Sequence, residues 1–152
     1  MATRSIIDSF VAEPALAVVG VSRSGRGLGN TAVRALTEKG YRVYPIHPAL
    51  QRVCGIPCFR SFVDLPERVN AVLVVVPPAQ AVGVVRDAAA AGIKRVWLQQ
   101  GAESPWVLHV CEDLGLETVA GECILMYAKP AGVHRVHRWI HDVFAPPAEV
   151  HP

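Results

Sequence analysis

The chain has 152 residues, is 51% hydrophobic and 18% charged, and carries a formal net charge of +2. That length makes one domain with a sizeable core, and no apolar run approaches the roughly 20 residues that span a bilayer, so no membrane association is expected. The charge balance is too mild to imply nucleic acid, and the basic clusters lack the interleaved aromatics of a single-strand binding surface. Met1-Ala2-Thr3-Arg4 leads into an amphipathic segment with Asp8 and Glu13 and not into a signal-peptide core, so a cytoplasmic location is expected. Cysteines 54, 58, 111 and 123 form neither a disulfide framework nor zinc spacing, and read as reduced thiols.

Residues 4–13 read as a short helix, with Ile6, Ile7, Phe10 and Val11 at helical spacing and Pro14 ending it. An apolar strand follows over 15–21, then the loop Ser22-Arg23-Ser24-Gly25-Arg26-Gly27-Leu28-Gly29, then a helix from Asn30 to Lys39. Asn30 or Thr31 is its expected N-cap and Gly40 its C-terminal glycine. Tyr41 to Ile46 is the second strand, with Pro45 marking its end. Cys54 to Phe59 reads as a short third strand at a sheet edge, and Ser61 to Pro66 as a brief helical turn.

Ala71 to Val76 is an unbroken apolar run, the mark of a strand covered on both faces. Pro77-Pro78 stops it, and Ala79 to Ala91 form an alanine-rich helix closed by Gly92. A strand over Arg95–Leu98 leads to Gln99-Gln100-Gly101, a helix over 103–114 in which Trp106 and His109 read as packing residues, and a sixth strand over 116–120. Gly132 to Phe144 reads as a last helix. The division expected is an N-terminal helix packed on the domain (1–14), the domain itself (15–144) and a mobile tail (145–152).

Strands alternating with helices, joined by connections too long for hairpins, predict right-handed crossovers and a single α/β domain: a Rossmann-like, doubly wound parallel sheet. Such a sheet binds its ligand at the carboxyl ends of its strands, where strand order reverses. Five strand ends carry turn chemistry: Gly20-Val21-Ser22, His47-Pro48, Val76-Pro77-Pro78, Gln99-Gln100-Gly101 and Gly121-Glu122-Cys123. At the first, a strand passes through glycines into a helix. That junction aims unpaired N–H groups and the positive end of a helix dipole at one spot, which suits phosphate.

Two common phosphate motifs do not fit. A dinucleotide fingerprint needs a second glycine two residues after Gly20, where the chain has Ser22, and an acidic residue ending the second strand, where it has His47. A P-loop needs Lys and Ser/Thr where the chain has Arg26 and Gly27, so ATP hydrolysis is not expected. A small NAD(P)-binding oxidoreductase or regulatory domain with an irregular fingerprint is the alternative kept.

An ordered series is more specific than any one of these motifs. It comprises Val19-Gly20-Val21-Ser22, Tyr41-Arg42-Val43 leading to His47-Pro48, Gly55-Ile56-Pro57 and Ser61 to Pro66. It continues with Val76-Pro77-Pro78, then Val96-Trp97-Leu98-Gln99 with Gly101, and ends at Cys123. Over about residues 15–125 this series resembles the stand-alone CoA-binding protein family, related to the N-terminal domain of the succinyl-CoA synthetase α subunit. The chain departs from the family's usual Asn-Pro at His47-Pro48, and from its Asp-Arg-Cys at Gly121-Glu122-Cys123.

The resemblance implies a groove for coenzyme A or an acyl-CoA along these loops, lined also by His47, Pro48, Gln99, Gly101 and Cys123. Amides from Val21 through Gly27 and Gly29 to Asn30 would take the diphosphate, following the turn at Gly20. Arg23 and Arg26 would add charge-assisted hydrogen bonds, and Val76 and Pro77 an apolar wall for the adenine or the pantetheine arm. No catalytic residue is expected, because the synthetase relatives use a phosphohistidine in a further domain. Of the titratable rim residues, His47 is the one singled out for examination, and a binding role suits it as well as a catalytic one. No metal site is expected: His134, His137 and His141 share a helix face, but Arg135 and Arg138 beside them oppose a cation. A partner enzyme or a second copy is left open.

Overall fold

The apolar runs become central strands because helices cover both of their faces. The computed structural model describes residues 3–128. Helix α1 (Arg4–Val11) starts at Thr3, whose hydroxyl accepts from the Ile6 amide, and is followed by β1 (Ala15–Val19). Then come α2 (Leu28–Glu38), β2 (Arg42–Ile46), the short β3 (Arg52–Val53) and β4 (Ile56–Pro57), and a 3-10 turn at Phe62–Asp64. The second half runs β5 (Ala71–Val74), α3 (Pro78–Ala90), β6 (Arg95–Gln99), α4 (Pro105–Asp113), β7 (Glu117–Glu122) and a 3-10 turn at Ile124–Met126.

Five strands form one parallel sheet in the order β2-β1-β5-β6-β7. Strand order reverses between β1 and β5, which makes that boundary the topological switch point. Alternation along the strands sorts the core into two layers. On one face Leu16, Val18, Leu73 and Trp97 pack with Ile7 and Phe10 of α1 and Val33 and Leu36 of α2. On the other, Ala17, Val72, Val74 and Leu98 pack with Val85 and Ala88 of α3 and Val107 and Val110 of α4. Trp97 is fully buried, donates its indole N–H to the Glu122 carbonyl at 3.0 Å and meets Phe10 edge-on. The fold is the α/β, Rossmann-like sheet expected.

Several boundaries differ from the sequence reading, each for a local reason. The first strand ends at Val19, because Gly20 takes φ +125° and leaves the sheet. Helix α2 begins at Leu28 with Gly27 in the capping position, so Asn30 sits in its first turn and is not the N-cap. Strand β2 runs through Pro45, which an edge strand tolerates because one of its two bonding sides lies outside the five-stranded ladder. The fifth strand ends at Val74, two residues early.

The 54–59 segment is not one edge strand. Cys54 (φ +52°) and Gly55 (φ +79°) make a tight turn between antiparallel β3 and β4, and Phe59 then meets the edge of β2. There His47 donates its amide to the Phe59 carbonyl, and Phe59 donates to Pro45, both at 2.8 Å. The helix expected at 132–144 and the tail beyond it, with their histidines, lie outside the described residues. Among the described residues no helix is long and apolar enough to cross a membrane.

Candidate functional site

Register places the five loops side by side. Val19 lies opposite Ile46 on one side and Val74 on the other; Val74 is opposite Leu98, and Gln99 opposite Glu122. The segments starting at Gly20, His47, Val75, Gln100 and Cys123 therefore leave the same edge of the sheet.

The glycine loop is the most constrained of them. A Cβ on Gly20 would lie 2.1 Å from the Val75 carbonyl oxygen, and one on Gly29 would lie 2.2 Å from the Gly20 carbonyl oxygen. Only two bare glycines let the end of β5, the β1 turn and the first turn of α2 stack this closely. Gly25 and Gly27 have open space but take φ +77° and +101°, so their requirement is conformational.

Asn30 is fully buried, and its amide grips the backbone of Ser22. Its Oδ1 accepts from the Ser22 amide at 2.7 Å, and its Nδ2 donates to the Ser22 carbonyl at 3.1 Å. Ser22 Oγ donates to the Arg26 carbonyl at 2.6 Å, while Ser24 Oγ accepts from the Arg26 amide. The loop is thus set before any ligand arrives. Three of its amides, those of Ser22, Gly25 and Arg26, are spent internally. The amides of Gly27, Leu28 and Gly29 open α2 and have no acceptor among the described residues, as the start of a helix requires.

Elsewhere on the rim, His47 Nδ1 accepts from the amides of Ala49 and Leu50 at 3.0 and 3.1 Å, which leaves Nε2 for another partner. Pro48 and Pro77 are exposed and Val76 is partly buried. Gln99 is 2% exposed with both ends of its amide engaged: Oε1 accepts from the Ile124 amide, and Nε2 donates to Cys123 Sγ at 3.0 Å. Gly101 (φ +97°) donates its amide to Glu103. Glu122 accepts from the Tyr127 hydroxyl at 2.8 Å, and that hydrogen bond raises the phenol pKa.

The four cysteines are free thiols. Burial pushes the Cys58 and Cys111 thiols up. Trp106 is not a packing residue: it is 58% exposed and stacks on His109.

The sequence reading missed two features. Arg34, one turn after Asn30, donates through Nη1 to the Gly25 carbonyl at 3.2 Å and to Cys54 Sγ at 3.5 Å. It ties the β3–β4 turn to the glycine loop, and its one visible signal was the i, i+4 spacing from Asn30. The second is a cavity of about 510 Å³ beside the rim, walled by Val19, Ile46, Pro48, Phe62, Val63 and Val84. It opens because a 3-10 turn, and no full helix, covers the sheet between β2 and β5.

Known proteins share this architecture. The chain is 26% identical over 121 residues to acetate–CoA ligase (ADP-forming) I of Archaeoglobus fulgidus, covering 73% of this chain and 18% of that enzyme. It therefore spans less than a fifth of that curated relative. Among solved structures, it is 36% identical to a conserved hypothetical protein from Pyrococcus furiosus with a TM-score of 0.69, covering 74% of this chain and 97% of that one. A hypothetical protein from Pyrococcus horikoshii OT3 gives 28% identity and a TM-score of 0.75, covering 82% of this chain and 89% of that one. The fold thus occurs both within a large ligase and as nearly the whole of shorter chains. The model of the CoA binding domain matches residues 15–129, from the first residue of β1 past the last described turn, and the chain belongs to that family.

Proposed function

We propose that this protein binds coenzyme A or an acyl-CoA along the carboxyl edge of its sheet and acts as a binding module without catalysis of its own. The observation that carries the reading is the coincidence of the CoA-binding family match with a preset glycine loop at the switch point between β1 and β5. The diphosphate sits against the amides of Gly27, Leu28 and Gly29, where the α2 dipole also favours negative charge. Arg23 and Arg26, both exposed, close over it. Val76, Pro77 and the mouth of the 510 Å³ cavity give the apolar parts of the ligand a dry surface.

His47 and Pro48 border the groove. Gln99 and Cys123 hold each other, and so shape its far end with Gly101. No acidic residue ends β2 to grip a ribose diol, so NAD(H) is disfavoured. Calorimetry with CoA and NADH tests the reading: CoA is expected to bind more tightly, and tighter binding of NADH would overturn it.

A further inference from the structure

The cavity beside the rim has two walls of different origin. One is the segment around the 3-10 turn, with Arg60 and Val63; the other is α3, with Asp87, Ala90 and Ala91. Its floor includes Val19 and Ile46, which end β1 and β2 at the rim. Helix α3 leaves that edge of the sheet at Pro78 and ends at Ala90, ahead of the start of β6 at the opposite edge. The cavity therefore runs from the rim down the flank of the sheet, and only its upper end adjoins the ligand groove.

Phe62 packs against the core, and Ser61 Oγ donates to Asp64 Oδ2 at 2.9 Å, which fixes the turn. Val63, the next residue, is turned outward and is 81% exposed at the lip of the cavity. Facing it, Ala90 and Ala91 are exposed and end at Cβ, so another chain can approach α3 closely. Arg60 and Asp87 are exposed on the two walls, and neither side chain has a hydrogen bond or ion pair among the described residues. A small ligand in the cavity would leave Val63 in water and both charges without a partner. A second copy related by a two-fold axis covers Val63 and sets Arg60 against the partner's Asp87, twice over.

We propose that the chain associates with a second copy of itself through this cavity, the Val63 turn of each copy seated against α3 of the other. The contact is self-complementary, because a cation on one wall and a carboxylate on the other give two identical ion pairs across one axis. It also takes the apolar lip and lining of the cavity out of water. The other exposed apolar face, Trp106 and Leu108 on α4, does not suit a two-fold contact. No Lys or Arg stands between residues 96 and 128, so two such faces would set Glu112 and Asp113 against acids. The inference goes beyond the CoA-binding reading and does not depend on it.

The test is sedimentation of the full chain over a range of concentrations, at low and high salt, without ligand. Wild type is compared with Val63→Asp, Arg60→Asp, Asp87→Arg and the Arg60→Asp/Asp87→Arg double reversal. All three positions are exposed, so each variant should keep the wild-type urea midpoint at high dilution. Wild type is expected to form dimers as concentration rises, more weakly at high salt. Val63→Asp and each single reversal should weaken association by about tenfold or more, and the double reversal should restore it to within about threefold of wild type. A wild-type chain that stays monomeric up to about 0.5 mM would overturn the proposal. So would a dimer that the single reversals leave unchanged, or one that the double reversal fails to recover. None of these results bears on CoA binding, which calorimetry reads separately.

Discussion

At Gly29 the difference between hydrogen and methyl controls whether α2 can begin where it does. The added Cβ would collide with the backbone of Gly20 and not with a side chain that could turn aside. Gly29→Ala should therefore destabilise the fold by about 2 kcal/mol and weaken CoA binding together, as urea denaturation and calorimetry would show. Gly83, exposed in α3 with open space around it, is the control: alanine there should stabilise by about 0.5–1 kcal/mol and leave binding unchanged. The importance of these loop glycines was legible in the sequence, because spacing alone signals a tight turn into a helix. Asn30 was legible only as a helix-start residue. Its grip on Ser22 depends on a loop path that brings residues eight apart in sequence together, which no local pattern encodes.

Among the elements, the long strands and helices followed from apolar runs, prolines and closing glycines, and their ends moved by a residue or two. The β3–β4 hairpin did not follow, because its turn uses a cysteine with positive φ where sequence rules look for asparagine or glycine. The edge strand β2 is held by its own polar cluster. Glu67 takes two hydrogen bonds from Arg42, at 2.7 and 2.9 Å, and one from the Tyr44 hydroxyl. These bonds, from Arg42 first and then Tyr44, hold the Glu67 carboxyl at about 2, against an ordinary value of 4.5.

A carboxyl depressed in this way stabilises the folded state fully above pH 4.5, and the contribution is lost as pH falls toward 2. Arg42 is more than half exposed, so solvent limits the effect to about 1 kcal/mol. Glu67→Gln should remove that much stability at neutral pH and flatten the decline between pH 4.5 and 2, read by thermal melts across that range.

For the molecule as a whole, parallel pairing decides where function can sit. Every strand of the main sheet points the same way, so the turn chemistry scattered through the sequence collects on one edge. The two strands of opposite sense stay apart in their own hairpin. That collection was legible once the alternation of strand and helix was read, and the link from Arg34 to Cys54 was not, since it needs the hairpin turn folded against α2. The opposite edge carries structural ion pairs: Arg95 meets Glu13 at 2.9 Å and Glu117 at 3.4 Å, tying the start of β6 to its surroundings.

Amide chemical-shift mapping during a CoA titration tests the placement of the site most directly. The shifts should concentrate on Gly20 to Asn30, on His47 and on Val76, and leave Glu13, Arg95 and Glu117 still. Shifts centred on those three residues, with the glycine loop unmoved, would contradict the account.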